Sequence, residues 1–411
     1  MNDATSPAAV PEVLPLVVVG AGPVGLVAAL AARHHDLPVV VVEAEPEDRI
    51  RPGSRATFIF RESLDLLEQI APGVTEPLIQ QSRSWLDLRT TYAGREVYYR
   101  RFPAAKPGRF GISLSQKDQE VVLLDRCRRE GVEFRWGNGL TDLATDTEGV
   151  TLTLADGSLV RASYVLAADG ARSTVRKALG ITMDGGRSES SFIIVDVRDV
   201  PDNPMSLTRT FHYRHPAVGG RNVLVVPFGG GWRFDLECNP GDNVEAFSSE
   251  PGLSQWITAV AGPGYADGQM WSSTYRFNHS VASAFTDANS RVLLAGEAAH
   301  LFPPFGGGRG LNSGIPDAIF EIEAIADALA AGDTAKSAEI IDAIATERRD
   351  AGFANRDAAA AALVHMEGRG LWNRTKQRMA ALIAPHYERA GRWLDRAPMG
   401  PTAPVSQRSR F

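Results

Sequence analysis

Residues 16–19 form a short aliphatic run, 20–25 a glycine-rich turn, and 24–35 an apolar, alanine-rich stretch of helical length; residues 39–42 are valine throughout. Strand, tight turn, helix and strand in that order predict a βαβ unit of a parallel sheet, whose strands, covered on both faces, read as unbroken apolar runs. Two further runs, 164–168 and 292–295, each end in an acidic, glycine-containing turn ahead of a helical stretch. A helix is also expected over 61–69. Between about 186 and 284 the pattern changes: 191–197, 207–213, 223–228 and 232–238 read as strands separated by Pro, Gly and Asn turns, which predicts an antiparallel sheet. From about residue 314 the chain turns helical and alanine-rich as far as 390. It ends in a tail, 398–411, of Pro, Ser and Arg that we expect to be loosely ordered.

With 411 residues, 44% of them hydrophobic and 22% charged, the chain has ordinary globular composition and room for roughly two to three packed units. Lys and Arg number 43 against 49 Asp and Glu, a net charge of −6, so no overall field draws it to phosphate backbones and nucleic acid is not an expected partner. The two cysteines, Cys127 and Cys238, lie far apart with no CxxC spacing, which suits reduced, buried thiols and a cytoplasmic location. Residues 13–32 carry no charge and are long enough to span a bilayer. Gly20, Gly22, Pro23 and Gly25 would interrupt such a span, and no basic segment precedes it as in a signal peptide, so neither is expected. His212 and His215, three apart on a predicted strand, should face opposite sides, and no metal site is expected.

The turn Gly20-Ala21-Gly22-Pro23-Val24-Gly25 is a GxGxxG sequence. Its first glycine permits the tight turn, the second lets backbone approach a pyrophosphate, and the third allows helix to pack closely on strand, while the helix N-terminus faces the anion. Glu43, followed by Ala44, stands at the end of the second strand, where a carboxylate can accept from both hydroxyls of an adenosine ribose. Together these predict a dinucleotide site. Two later segments follow in the chain: Asp169-Gly170-Ala171-Arg172, running on to Arg176, a strand-end turn that taken alone reads as a helix cap, and Gly296-Glu297-Ala298-Ala299-His300. The second is followed by Pro303-Pro304 and the loop Gly306 to Gly314.

In this order the three segments resemble the single-component FAD-dependent aromatic hydroxylases that share the p-hydroxybenzoate hydroxylase fold, over about residues 14–330. The resemblance implies an α/β fold. A Rossmann-like FAD-binding domain comes from 14–77, 107–185 and 285–330, and an inserted antiparallel β-sheet substrate domain from 78–106 and 186–284. A C-terminal helical region, 331–397, and the tail follow. It further implies tight, non-covalent FAD, its ADP half held by Gly20, Gly22, Pro23, Val24, Gly25, Glu43 and Ala44. Asp169, Gly170 and Arg172 would serve both FAD and the nicotinamide donor, Gly296 and Glu297 the ribityl chain, and Arg55 the pyrophosphate and mobile flavin. Gln116 would touch FAD as well. Gly310, Leu311 and Asn312 would lie ahead of a helix over 315–330 whose positive end faces the reduced, anionic flavin. Pro304, with Pro303, would wall the face where oxygen adds.

Two departures from the family stand out. Glu297 occupies the place of an Asp, which lengthens the reach but keeps the acceptor chemistry. Arg309 stands where the family tends to have Gln, in a loop one residue longer. An inward-pointing arginine about 5 Å from a reduced flavin, at an effective dielectric near 20, would favour the anion by roughly 3 kcal/mol. Arg309 is therefore a candidate for tuning the flavin or contacting an acidic substrate.

For the substrate, strand alternation groups Phe211 with Tyr213, Val226 with Phe228, and Arg233 with Asp235. These are the candidate lining residues, and their rings suit an aromatic ligand. The resemblance implies that NAD(P)H, bound only transiently, reduces FAD and that O2 then gives a flavin hydroperoxide. That species hydroxylates an aromatic or polycyclic phenolic molecule, with the protein positioning and drying the site. No phenol-deprotonating base is assigned, and Pro304 and Arg309 are the only candidates beside the flavin. Epoxidation and Baeyer-Villiger insertion on the same scaffold remain open. Halogenation is disfavoured by the lack of a WxWxIP segment, and a non-catalytic binder related to the GDP-dissociation inhibitors has no use for the Pro-Pro and glycine loop. The chain reads as a compact version, without the thioredoxin-like domain of larger phenol hydroxylases, and as either a monomer or a homodimer.

Overall fold

The computed structural model describes residues 13–49, 57–85, 87–102, 108, 111–303 and 308–396. The apolar runs become the parallel core of one sheet, in the order Glu133–Arg135, Val39–Val42, Val13–Val19, Leu159–Ala167. The last of these forks. Its first half pairs antiparallel with the hairpin strand Gly149–Leu154, and its second half pairs parallel with Val292–Leu294. Helix Pro23–His34 opens on a proline, which loses nothing where the N–H has no helical partner. Residues 25–32 of that helix are all buried, because the sheet, helix Gln116–Arg129 and helix Arg309–Ala330 pack around it.

A second sheet has the order Gln269–Tyr275, Ser191–Arg198, Gly231–Cys238, Arg221–Phe228, Thr208–His215, Asp87–Tyr92, Arg95–Arg101. It is antiparallel except where Thr208–His215 runs parallel to Asp87–Tyr92. Alternation gives its faces different jobs. Ile193, Val195, Val225, Phe234 and Leu236 point back into a dry cluster under helix Glu250–Ala261, which supplies Leu253, Trp256 and Ile257. This helix was not among the expected elements, although Ser249 caps it, Pro251 lies in its first turn and its apolar residues recur at helical spacing.

The front face is divided. At one end Phe192, Phe211 and Tyr213 pack against Leu363, Met366, Ala381 and Leu394 of the C-terminal helices, and at the other the sheet floors a cavity. Helix Thr334–Glu367 lies along Arg309–Ala330, and Gly370–Ile383 and Glu388–Asp395 fold back over the sheet. The tail lies outside the described residues.

Two expectations change. The helix expected from 315 begins at Arg309, with Gly308 (φ 68°) as its cap, and Pro316 lies inside it rather than opening it. His212 and His215 come together, their rings 4.9 Å apart, because the strand register shifts between them and Arg214 adopts φ 52°. Among the described residues no cluster suited to a metal ion occurs, and no helix is long and apolar enough to cross a membrane.

Candidate functional site

A cavity of about 890 Å³ runs from the C-terminal ends of the parallel strands to the floor of the second sheet. At the first end lie Gly20, Gly22, Pro23 and Val24 of the glycine turn, Glu43 and Ala44 from the second strand, and Asp169, Gly170 and Arg172. Gln116, Glu297, Gly310 and Leu311 also line it.

The turn is built to bring backbone close. Gly20 has φ 102°, and a Cβ there would fall 2.5 Å from the Ala168 carbonyl oxygen. Gly25 does not line the cavity. A Cβ on it would sit 1.9 Å from the Gly20 oxygen, so its lack of a side chain seats the helix on the turn. Glu43 is buried, and its Oε2 accepts from the Ala21 N–H (2.7 Å) and its Oε1 from the Glu45 N–H (3.0 Å). Its carboxylate lines the cavity at the strand end, where an acceptor for ribose hydroxyls is expected. Arg49, which the sequence reading did not single out, donates to the Ala21 oxygen (2.9 Å) and lies 3.8 Å from Glu43.

Asp169 caps the short helix Thr174–Ala178, its Oδ2 accepting from the Thr174 and Val175 N–H groups (2.7 and 3.1 Å). Burial pushes its carboxyl above the usual range despite those bonds and one from Ser173. Its Oδ1 is buried with no partner among the described residues, so an acceptor is left over at the cavity wall. Arg176 ties this turn to the third motif, donating to the Ala298 oxygen (2.9 Å) and the Ala171 oxygen (3.1 Å). Gly296 (φ 59°) packs on Val24 and donates its N–H to Asp317 (3.2 Å). Close backbone at a helix N-terminus, a strand-end carboxylate and a spare buried acceptor fit the ADP half of FAD.

Not every expected residue reaches the cavity. Asn312 is buried away from its lining, with Oδ1 accepting from the Phe60 N–H (2.8 Å) and Ser63 Oγ (2.9 Å). Its Nδ2 donates to the Phe58 and Gly308 carbonyls (2.9 Å each). It braces the strand Phe58–Phe60 against the start of the long helix rather than presenting its amide to a ring. Arg309 is neither solvated nor part of the lining: it is buried and donates to Asn355 Oδ1 (2.8 Å) on the next helix. Phe211 and Tyr213 are covered by the C-terminal helices, with the Tyr213 hydroxyl donating to the Leu394 carbonyl (2.8 Å), and Phe228 is buried off the lining too. Arg55 and Pro304 lie outside the described residues.

Of the substrate candidates, Val226, Arg233 and Asp235 line the cavity, beside Ile194, Leu224, Tyr275 and Phe277. Arg233 holds Asp196 in a buried two-point ion pair (Nε to Oδ1 2.8 Å, Nη2 to Oδ2 2.9 Å). Burial pulls the Arg233 guanidinium down, but Asp196 and Asp235 hold it above its usual value. Burial lifts the Asp235 carboxyl to about 7, with Arg233 offsetting part of the effect. Arg209, another lining residue, was missed. Alternation places it on the face of Phe211, so an arginine at a buried, inward strand position was the available signal.

The family model of the FAD binding domain matches residues 13–359. Rifampicin monooxygenase of Streptomyces venezuelae is 32% identical over 74% of this chain and 62% of its own length. The 6-methylpretetramide 4-monooxygenase of Streptomyces rimosus is 30% identical over 82% and 59% respectively. The chain thus spans about six-tenths of the length of these curated relatives. The crystal structure of p-nitrophenol 4-monooxygenase PnpA from Pseudomonas putida DLL-E4 superposes with a TM-score of 0.76 at 25% identity, covering 96% of this chain and 100% of that one. A glycine turn, two acid-bearing strand ends and a second sheet over one cavity are thus accounted for together: the chain belongs to the FAD binding domain family, in the p-hydroxybenzoate hydroxylase type of fold.

Proposed function

We propose that the protein is an FAD-dependent monooxygenase that uses NAD(P)H and O2 to hydroxylate an aromatic or polycyclic phenolic molecule. The observation that carries this reading is the single cavity joining the Glu43–Asp169 cradle to the sheet floor with Arg209, Arg233 and Asp235. The named activities of these relatives, all monooxygenations, agree. Bound FAD would accept hydride equivalents from NAD(P)H and react with O2.

The chain's own residues hold and orient. Gly20, Gly22, Pro23 and Val24 receive the pyrophosphate side, with Gly25 seating their helix, and Glu43 with Ala44 takes the adenosine ribose. Asp169, Gly170 and Arg172 serve FAD and the transient nicotinamide. Gln116, Gly296, Glu297, Gly310 and Leu311 flank the rest of the cofactor. Ile194, Leu224, Val226 and Phe277 exclude water around the substrate. In this reading 14–77, 107–185 and 285–330 act as the cofactor unit, and 78–106 with 186–284 as the substrate unit. The free, buried thiols Cys127 and Cys238 suit the cytoplasm.

The test is NADH and NADPH consumption in air by FAD-loaded protein, with and without phenols, phenolic acids and polycyclic quinones, while hydrogen peroxide is titrated. A ligand that speeds oxidation and lowers peroxide per NAD(P)H is the expected result. FAD uptake with no ligand response across the panel would count against the assignment.

A further inference from the structure

The floor of the cavity carries buried polar atoms that have no hydrogen-bond partner among the described residues. Asp235, 6% exposed, has Oδ1 without a partner, and Arg209, 2% exposed, has Nε and Nη1 without one. Among the described residues Arg209 is anchored through Nη2 alone, by Asp395 Oδ1 at 2.8 Å. Arg233 is engaged with Asp196. A buried donor or acceptor left unmet costs about 1–3 kcal/mol, so three on one sheet face call for a ligand.

Their placement constrains that ligand. Asp235 pairs across the sheet with Leu224 and Ile194, and Leu224 pairs in turn with Phe211, two positions beyond Arg209. Arg209 and Asp235 therefore stand two strands apart and two residues out of step, a backbone separation of about 12 Å from ordinary strand spacing. Leu224 and Val226 fill the interval. A planar molecule of more than one ring, polar at both ends, matches that floor.

We propose that Asp235 takes the proton of an ionisable hydroxyl on the substrate while Arg209 donates to a carbonyl or carboxylate oxygen at its other end. The substrate is then a fused-ring phenol or enol with a second oxygen function. This rests on the monooxygenase reading and names its substrate class and its base. In the step, the substrate O–H bond breaks, an O–H bond to Asp235 forms, and the electron pair stays on the substrate oxygen, where it enriches the ring for attack on an electrophilic oxygen. No oxidant is consumed. The charges facing Asp235 are Arg233 on its own strand, Asp196 on the next and Arg209 across the floor, with the Tyr275 hydroxyl near Arg233. A carboxyl that titrates at about 7 is a better match to a phenol than an ordinary carboxylate is.

Alizarin, a hydroxylated anthraquinone whose colour deepens on ionisation, is the probe, titrated into FAD-loaded protein above pH 7. Wild type should bind the deep-coloured form. Asp235→Asn should bind the pale neutral form at the same pH, and Asp235→Glu should restore the colour. Arg209→Gln should weaken binding about tenfold or more, with the bound colour unchanged. If Arg209→Gln fails to retain FAD, Arg209→Lys, which keeps Asp395 paired and removes the other donors, carries the same expectation. Failure of wild type to bind alizarin, or a colour indifferent to Asp235→Asn, overturns the proposal. Measuring NAD(P)H oxidation in the same samples separates the two readings: binding and colour response without stimulated oxidation would remove the monooxygenase reading alone.

Discussion

Arg209, on the cavity floor, donates from Nη2 to Oδ1 of Asp395 in the last described helix, and Thr90 Oγ1 donates to the same oxygen at 2.9 Å. Together with the bond from Tyr213 to Leu394, this fixes helix Glu388–Asp395 on the second sheet. Breaking a buried ion pair by removing one partner costs about 3–5 kcal/mol. Asp395→Ala is therefore expected to lower the unfolding midpoint and to weaken ligand binding by releasing Arg209, while FAD affinity changes little. Denaturant unfolding and FAD titration check the two halves separately.

At the cofactor cradle, Gly25→Ala should abolish FAD retention, since its Cβ would fall 1.9 Å from backbone. Gly170→Ala meets open space and suffers only the strain of φ 76°, about 1 kcal/mol. Glu43→Gln, which gives up charge-assisted bonds, should weaken FAD about tenfold or more. Flavin fluorescence on equilibrium titration orders the three.

Beneath the third motif, Asp317 takes the Gly296 N–H, shares a 2.6 Å hydrogen bond with His300 Nε2, and accepts from Arg348 Nε at 2.9 Å. Burial pushes its carboxyl up, but His300 and Arg348 outweigh it and hold it below its usual value. A depressed acid contributes stability above its unfolded value, about 3.9, and loses that stability as pH falls through its folded one. Asp317→Asn should therefore cost most near neutral pH, and the gap from wild type should close in acid. Urea unfolding across pH measures it, and a gap that widened in acid would contradict the assignment.

Cys127 and Cys238 are buried thiols pushed up to about 12, burial being the main cause. Neither should react with iodoacetamide in the native state, and both should do so once unfolded.

The legible parts of this protein were local. The glycine turn, Glu43, Asp169 and the central strands of both sheets declare themselves within a few residues, because turn geometry and strand periodicity are short-range, whereas Glu133–Arg135, Leu140–Asp146, Gly149–Leu154, Asp87–Tyr92, Arg95–Arg101 and Gln269–Tyr275 do not. Arg309 and Asn312 misled, since their partners, Asn355 and the Phe58–Phe60 strand, are set by helix packing and not by the loop they occupy. The helix start at Arg309 was missed because Asn312 to Gly314 read as the loop ahead of it. Arg209 escaped notice for a similar reason: its anchor is 186 residues away, and only the folded C-terminal helices show that Nη2 is held by Asp395 while Nε and Nη1 are buried without a partner among the described residues. Arg309→Gln should accordingly shift the unfolding midpoint rather than substrate affinity.

The most direct test of the account is turnover under isotopically heavy O2 by the FAD-loaded protein, with NAD(P)H and the ligand that best stimulates its oxidation. A monooxygenase leaves a product carrying a single heavy oxygen for each NAD(P)H consumed productively, and this is the expected result. A hydroxylated product without the heavy isotope, its oxygen drawn from water, or NAD(P)H oxidation that yields only hydrogen peroxide with every stimulating ligand, would contradict it.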